Sequence, residues 1–232
     1  EMMALGSPVQ LLESYEFGIL SEMIAAMKSV IRSKPVHLFG AGHPLTIPLI
    51  VALGCDTFDS ASYMLYARDD RYMHPNGTSK LDKLTYLSCQ CPICINLKVK
   101  EFLDLEREER IDKLAKHNLY ILRSEVLSVK QAILDGRLWE YVGQKARAHP
   151  KLMEAFKLFM NYEYLEDGTP LFKKKAIFFM DSVDQYRPEA SRLRKVFNSF
   201  RTNKKKLILY PDTEVSPFYC SREYHKLSLI HI

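Results

Sequence analysis

Three cysteines fall within six residues of this chain: Cys89, Cys91 and Cys94, in "LSCQCPIC" (87–94). Thiols at that density suit a metal ion, and the two other cysteines, Cys55 and Cys220, are scattered. Zinc takes four soft or borderline ligands in a tetrahedron. A CxCxxC turn stiffened by Pro92 supplies three of them. The fourth must come from elsewhere. Spacing leaves two candidates, His117 in "LAKHNLY", which a helix would return to the turn, and His74. A filled Cys3His site is structural, with no coordination position open for catalysis. Three buried free cysteines are the competing reading. Upstream, Asp59 sits between Phe58 and Ser60 at the end of a strand-like run, "CDTFDSASY" (55–63). A carboxylate at a strand end can act as nucleophile, general base or ligand. It can equally be a helix N-cap or a paired surface acid. Asp56, three residues earlier, points to the opposite face of a strand.

The elements around these residues follow from hydrophobic spacing. "SYEFGILSEMIAAMKSVIRS" (14–33) carries Phe17, Leu20, Met23, Ile24, Met27, Val30 and Ile31 at helical intervals, and Pro35 follows its end. "VHLFG" (36–40) reads as a strand, "AGHP" as a turn, "LTIPLIVAL" (45–53) as a helix and 55–63 as a second strand. That helix–strand–helix–strand order implies parallel strands and an α/β fold. His43, Asp59 and Ser60 then lie at the C-terminal ends of the strands, where such folds place their chemistry. Residues 66–97 read as a long loop centred on "HPNG", a length that calls for a function or a staple, which the cysteines would supply. Residues 99–149 read as almost all helical, with Gly136 ending one helix, and 149–165 as a further helix. "DGTP" (167–170) marks a boundary. Beyond it "KAIFFM" (strand), "RPEASRLRKVFNSF" (helix) and "KKLILYP" (strand) suggest the start of a small α+β domain.

Composition excludes some classes. With 47% apolar and 26% charged residues, the chain has the balance of an ordinary globular protein. Its longest apolar candidate, "PLTIPLIVALG" (44–54), is too short to cross a bilayer and reads as a buried helix, and no signal-peptide pattern is visible. The net charge of +5 is concentrated in "LFKKKAIFF" (171–179) and "RTNKKKLIL" (201–209), which suits a polyanion such as nucleic acid or else a solvated surface. Clustered cysteines fit a reducing cytoplasm. The chain starts at Glu1 and ends "LSLIHI" (227–232), which matches a translated transposon-end sequencing adapter. The expectation is an open-ended gene fragment with a non-native tail.

Taken in order, "PVHLFGAGHP", "VALGCDTFDSASYMLYARDDRYM", "LSCQCPIC" and "KHNLY" resemble the archaeal tRNA-guanine transglycosylases, from about Leu5 to Arg222. The resemblance implies the C-terminal part of a (β/α)8 TIM barrel with a structural zinc site, followed by a partial small α+β domain. Residues 1–165 would be barrel, with the zinc insertion at about 85–120, and 166–226 the C-terminal region. It implies exchange of guanine at position 15 of the tRNA D-arm for the 7-deazaguanine preQ0 in archaeosine biosynthesis. An aspartate attacks C1′ of the ribose to give a covalent intermediate, in the manner of a retaining glycosidase. By the family's motifs, Asp59 is that nucleophile, Cys89, Cys91, Cys94 and His117 bind one Zn2+, and Gly6 contacts the base. Ser7 stands where the family has a second glycine. Arg68 and Arg71 would hold tRNA phosphates, unless they pair with Asp69 and Asp70. The family's second catalytic aspartate precedes Glu1, so the chain alone is expected to be inactive. A homodimer of the full-length protein, a cytoplasmic location and no membrane association complete the expectation.

Three alternatives stand beside it. An archaeosine synthase paralogue carries PCxxxKPYxxSxxH, and "PDTEVSPFYCSREY" (211–224) keeps Pro211, Pro217 and Ser221 of that pattern. Asp212, Ser216, Phe218 and Tyr224 replace its cysteine, lysine, tyrosine and histidine, so that chemistry has no nucleophile here. The others are a DNA 7-deazaguanine transglycosylase and a zinc-stapled tRNA-binding subunit of a split enzyme.

Overall fold

The computed structural model describes residues 2–6, 8–170, 176–203, 220–222 and 224–225. Its centre is a parallel sheet in the order β1 (Met3–Leu5), β2 (Val36–Leu38), β3 (Thr57–Phe58). The short helix α1 (Val9–Glu13) and the longer α2 (Phe17–Val30) join β1 to β2, and α3 (Ile47–Ala52) joins β2 to β3. Pro48 falls in the first turn of α3, where its missing N–H costs no hydrogen bond. Gly54, at φ 99°, turns the chain out of α3 in a conformation that favours glycine. Val36 and Leu38 are buried on one face of β2, with Leu20 and Ile24 of α2 and Leu49 and Ile50 of α3 in the same core. The helices α7 (Leu138–Ala146) and α8 (Pro150–Lys157) complete that core through Trp139, Val142, Leu152 and Phe156. Each such side chain contributes about 1.5–3 kcal/mol by leaving water.

A second core lies beneath an antiparallel hairpin, β4 (Arg71–His74) and β5 (Gly77–Lys80), which follows α4 (Ser62–Arg68). Tyr72, Ala67, Cys91, Cys94, Phe102 and Leu114 are buried together there. Phe102 comes from α5 (Val99–Leu103) and Leu114 from α6 (Arg107–Leu134). Gly136, at φ 65°, follows the end of α6.

Three elements differ from the sequence reading. Residues 66–97 hold the end of α4 and a hairpin, where the sequence suggested a loop. The hairpin turns inward with only Tyr72 and Met73 on β4, too few apolar positions for a period to show. Strand β1, three residues long, was not expected. The strand expected over "KAIFFM" is absent at 176–180. That backbone pairs with side chains instead: Phe178 N–H donates to Glu140, and Met180 and Asp181 N–H donate to Asp184 Oδ2 at 2.6 and 2.8 Å. Once those groups are satisfied there is no ladder to extend. The strand expected at 205–211 lies outside the described residues, as do 171–175 and 227–232.

The chain divides into two compact units, 1–195 and 196–232. The first runs past the boundary expected at 165/166. Two buried links fasten residues 176–195 within it: Trp139 Nε1–H donates to Asp184 Oδ1 at 2.7 Å, and Arg187 pairs with Glu140 at 3.0 Å. Arg187 is wholly buried and also pairs with Glu189, and Pro188 starts α9 (Pro188–Ser199). In the second unit the Ser221 hydroxyl accepts a hydrogen bond from Tyr224 N–H.

A buried guanidinium with two carboxylate partners is costly to break from one side. Arg187→Met, which removes the guanidinium from between Glu140 and Glu189, is expected to lose about 3–5 kcal/mol in urea denaturation. Arg32→Ala, at the exposed Arg32–Asp167 pair, is expected to lose less than about 1 kcal/mol.

Candidate active site and metal centre

Parallel register brings three strand ends into one row. Leu5 lies opposite Leu38, and Leu38 opposite Phe58. Gly6, Phe39 and Asp59 are the next residues along each strand, so all three emerge at the C-terminal edge of the sheet. There a cavity of about 590 Å³ is bordered by Asp59, Gly40, His43, Tyr66, Arg71 and Tyr15, among others. Asp59 caps no helix: α4 begins after Ala61, without a side-chain cap. Its Oδ1 accepts a hydrogen bond from Gly40 N–H at 3.0 Å and lies 3.4 Å from His37 Nε2. No described residue donates to Oδ2. One oxygen is anchored and the other is free, as a carboxylate needs for attack on an electrophile. Asp56 serves the strands instead. Its Oδ2 accepts Val36 N–H at 2.8 Å while its own N–H donates to Val36 C=O.

The loop between β2 and α3 is seated directly on the segment bearing Asp59. A Cβ on Gly42 would lie 2.0 Å from Ser60 Cβ and Oγ, so only glycine permits that approach. Ser62 Oγ donates to Gly42 C=O, and Ser60 Oγ accepts from Ser62 N–H at 2.9 Å. His43 follows, with Nδ1 accepting from Leu45 N–H at 3.2 Å, which leaves the proton on Nε2. Burial, with His74 and Lys145 nearby, lowers its pKa to about 4, so the ring is neutral at pH 7. Lys145 is itself buried, donating to Glu125 at 2.6 Å and to Pro75 C=O at 2.7 Å.

The three cysteines and His117 converge, their ligand atoms all within 4.8 Å of one another. His117 Nδ1 lies 3.2 Å from Cys94 Sγ and 3.5 Å from Cys91 Sγ. Ligands at ordinary Zn–N and Zn–S lengths around a tetrahedron stand about 3.5 Å apart, so the donor set fits such an ion. His117 Nε2 lies 2.8 Å from Met73 C=O. A donated bond there fixes the tautomer and turns the Nδ1 lone pair to the sulfurs. Burial lowers the His117 pKa to about 4 and raises those of Cys89 and Cys94. A cation reverses that cost by binding the thiolates. Tyr72 stacks on the imidazole, with ring centroids 3.8 Å apart, and accepts Cys89 N–H at its hydroxyl. Of the two histidines left open by spacing, His74 turns away, its Nε2 3.4 Å from Ser79 Oγ.

Asn118, next to His117, ties the cysteine–histidine cluster to the strand-end site. Its Oδ1 accepts Met73 N–H at 2.9 Å, and its Nδ2 donates to Arg71 C=O at 3.0 Å and Tyr63 C=O at 3.1 Å. Fully buried, it fastens α6 to both β4 and α4, the helix that Asp59 precedes. Arg71 borders the cavity while its Nε donates to Asp69 at 2.9 Å. Asp70 is held by Arg110, and Arg68 is exposed. Gly6 is exposed with open space about its Cα, and it is not among the residues bordering the cavity; Ser7 lies outside the described residues. Sequence reasoning missed His37, Gly42 and Asn118. The alternation His37–Phe39 opposite Thr57–Asp59 is the signal that would have found the first.

The profile described as queuine tRNA-ribosyltransferase matches residues 1–151. The chain is 43% identical over 226 residues to a tRNA-guanine(15) transglycosylase of Pyrococcus furiosus, covering 97% of this chain and 39% of the relative. It is 44% identical over 214 residues to one of Sulfolobus acidocaldarius, covering 90% of this chain and 43% of that protein. Against one of Methanococcus aeolicus it is 46% identical over 196 residues, covering 82% and 30%. The chain thus spans 30–43% of the length of these curated relatives.

Two measurements test this geometry. Metal analysis is expected to give one bound zinc per chain, with Cys91→Ser losing both the ion and thermal stability; a stable, metal-free wild type contradicts the site. For His43 the folded pKa lies below the ordinary 6.5. The unfolded chain therefore binds a proton that the fold excludes. Its contribution is complete above pH 6.5 and declines as pH falls toward 4, by about 1.4 kcal/mol per pH unit. His43→Asn, which keeps an acceptor for Leu45 N–H, is expected to flatten the fall of the urea midpoint over that window.

Proposed function

The chain belongs to the queuine tRNA-ribosyltransferase family; from that premise we propose that it carries the nucleophile and metal centre of a tRNA-guanine(15) transglycosylase. Asp59 Oδ2 attacks C1′ of the ribose at position 15 of the tRNA D-arm. The C1′–N9 bond breaks, its electron pair leaves with guanine, and an aspartyl-ribose ester remains. preQ0 then attacks C1′ from the side guanine left, and the carboxylate departs. Two inversions restore the original configuration. The observation that carries this reading is Asp59 itself: a carboxylate at a parallel strand end, bordering a cavity, anchored through Oδ1 and with no donor to Oδ2 among the described residues.

The parallel β1–β2–β3 sheet with helical crossovers supports assignment to the C-terminal part of a (β/α)8 barrel, with a small α+β region after it. Cys89, Cys91, Cys94 and His117 hold one Zn2+, which supplies structure and takes no part in bond making. Arg71 and Arg68 hold tRNA phosphates, and Gly6 meets the base with its backbone. The working protein is a cytoplasmic homodimer; among the described residues no helix is long and apolar enough to cross a membrane.

The test uses the complete protein that contains this chain. Asp59→Asn is expected to abolish exchange of labelled guanine into tRNA, by about 10⁴-fold or more, while zinc content and melting temperature hold. Persistent exchange removes Asp59 from the chemistry. Exchange into DNA but not tRNA favours the DNA transglycosylase. Unchanged tRNA binding in a protein inactive before and after the substitution favours the zinc-stapled binding subunit.

A further inference from the structure

We propose that His37, fixed by Thr57, is the positioning residue for the Asp59 carboxylate and stabilises it as the leaving group when the ribose ester is resolved. The inference rests on the reading of Asp59 as nucleophile.

Register makes the contact. His37 lies directly opposite Thr57 on the neighbouring parallel strand, so their side chains share a face. Asp59 stands two residues beyond Thr57, and Phe39 two beyond His37, which returns both to that face. His37 Nδ1 lies 2.8 Å from Thr57 Oγ1, and Nε2 lies 3.4 Å from Asp59 Oδ1. Phe39 packs edge-on against the imidazole, with ring centroids 4.6 Å apart, and limits its rotation. The side chain of His37 is 16% exposed and that of Asp59 61%, so the anchor is sheltered and the carboxylate faces solvent.

Proton inventory then sets the direction of each bond. An ionised carboxylate only accepts, so the ring favours Asp59 only with its hydrogen on Nε2. Nδ1 either accepts from the Thr57 hydroxyl, in the neutral ring, or donates to it, in the imidazolium. A hydroxyl serves both states. The other neighbour of that hydroxyl, Met2 Sδ at 3.6 Å, is a weak acceptor and competes poorly. Thr57 therefore holds the ring with Nε2 beside Asp59 in either form.

Gly40 N–H donates to Oδ1 at 3.0 Å, and His37 Nε2 stands 3.4 Å from the same oxygen, close enough to bias its charge. Oδ2 is left to form the bond to C1′. After ester formation Oδ1 is the carbonyl oxygen, a weaker acceptor than the carboxylate. The Gly40 bond and the adjacent imidazole thus favour the free carboxylate over the ester, and they ease its departure when the incoming base attacks. His37 transfers no proton in either step. Deleting its donor should shift the enzyme toward the covalent adduct while slowing turnover, which general loosening of the fold does not do.

The experiment uses the complete protein with tRNA, measuring steady-state exchange and the fraction trapped as protein–RNA adduct on a denaturing gel. His37→Ala is expected to lower kcat about 10- to 100-fold with little change in KM for tRNA, and to raise the adduct fraction. His37→Gln, whose amide can donate to Oδ1, is expected to recover much of the rate. Melting temperature and zinc content are expected to stay at wild-type values. An unchanged kcat in His37→Ala overturns the proposal, as does a lower kcat with no rise in adduct, or one matched by a fall in melting temperature. Asp59→Asn in parallel separates the two ideas. Activity surviving in Asp59→Asn removes the nucleophile on which the inference stands; an inactive Asp59→Asn beside a fully active His37→Ala removes the inference alone.

Discussion

The grip of His117 and Asn118 on Met73 is the interaction on which the rest depends. Two adjacent residues of one helix turn engage both polar groups of one residue in β4. His117 Nε2 faces the carbonyl at 2.8 Å, and Asn118 Oδ1 takes the N–H at 2.9 Å. The Met73 carbonyl orients the imidazole toward the cysteines, so the cluster depends on a strand that contributes no ligand. Asn118 passes the constraint on through its two donated bonds to Tyr63 and Arg71. Asp59 precedes the helix that holds Tyr63, and Arg71 borders the same cavity as Asp59. The cysteine–histidine cluster is thus linked to the strand-end cavity through backbone hydrogen bonds. Each is worth only about 0.5–1.5 kcal/mol net when made, but leaving a buried one unmade costs more.

The strand-end site follows a different logic. Its groups come from consecutive parallel strands, and register decides which of them meet. Asp59, Thr57 and His37 align because side chains repeat every two residues along a strand and sit side by side across neighbours. Gly40 and Gly42 bring the β2–α3 loop in close enough for one N–H to reach the carboxylate and for backbone to lie on Ser60. The site is thus built mainly by backbone placement, with few side chains doing the contacting.

Much of this was legible in the residues. The cysteine cluster pointed to the ligand set that converges, and the helix–strand alternation before Asp59 gave the parallel arrangement. The hairpin was not legible because only Tyr72 and Met73 of β4 are buried, too few for a period to show, and β1 stands at the start without a flanking signal to mark it. "KAIFFM" misled because its apolar, β-prone composition is that of a strand, while its backbone bonds go to Glu140 and Asp184. Asn118 was invisible for another reason. A buried amide that satisfies three backbone groups has no spacing signature, and only the partners, 45 to 55 residues away, give it meaning.

Those separations carry a consequence for how the chain orders itself. The bond from Val36 to Asp56 closes a segment of only 20 residues, whereas the bond from Met73 to Asn118 spans 45. Longer closures cost more chain entropy, though the increase is logarithmic and slow. The β2–α3–β3 unit has the shorter closure and needs no ion; the seating of α6 on the hairpin spans further, and an ion held by Cys89, Cys91, Cys94 and His117 would fasten α6 to the loop after the hairpin. Assembly should thus be staged, with the sheet forming as a local event and any cation the cluster takes acting late, as the clasp on a half-built scaffold.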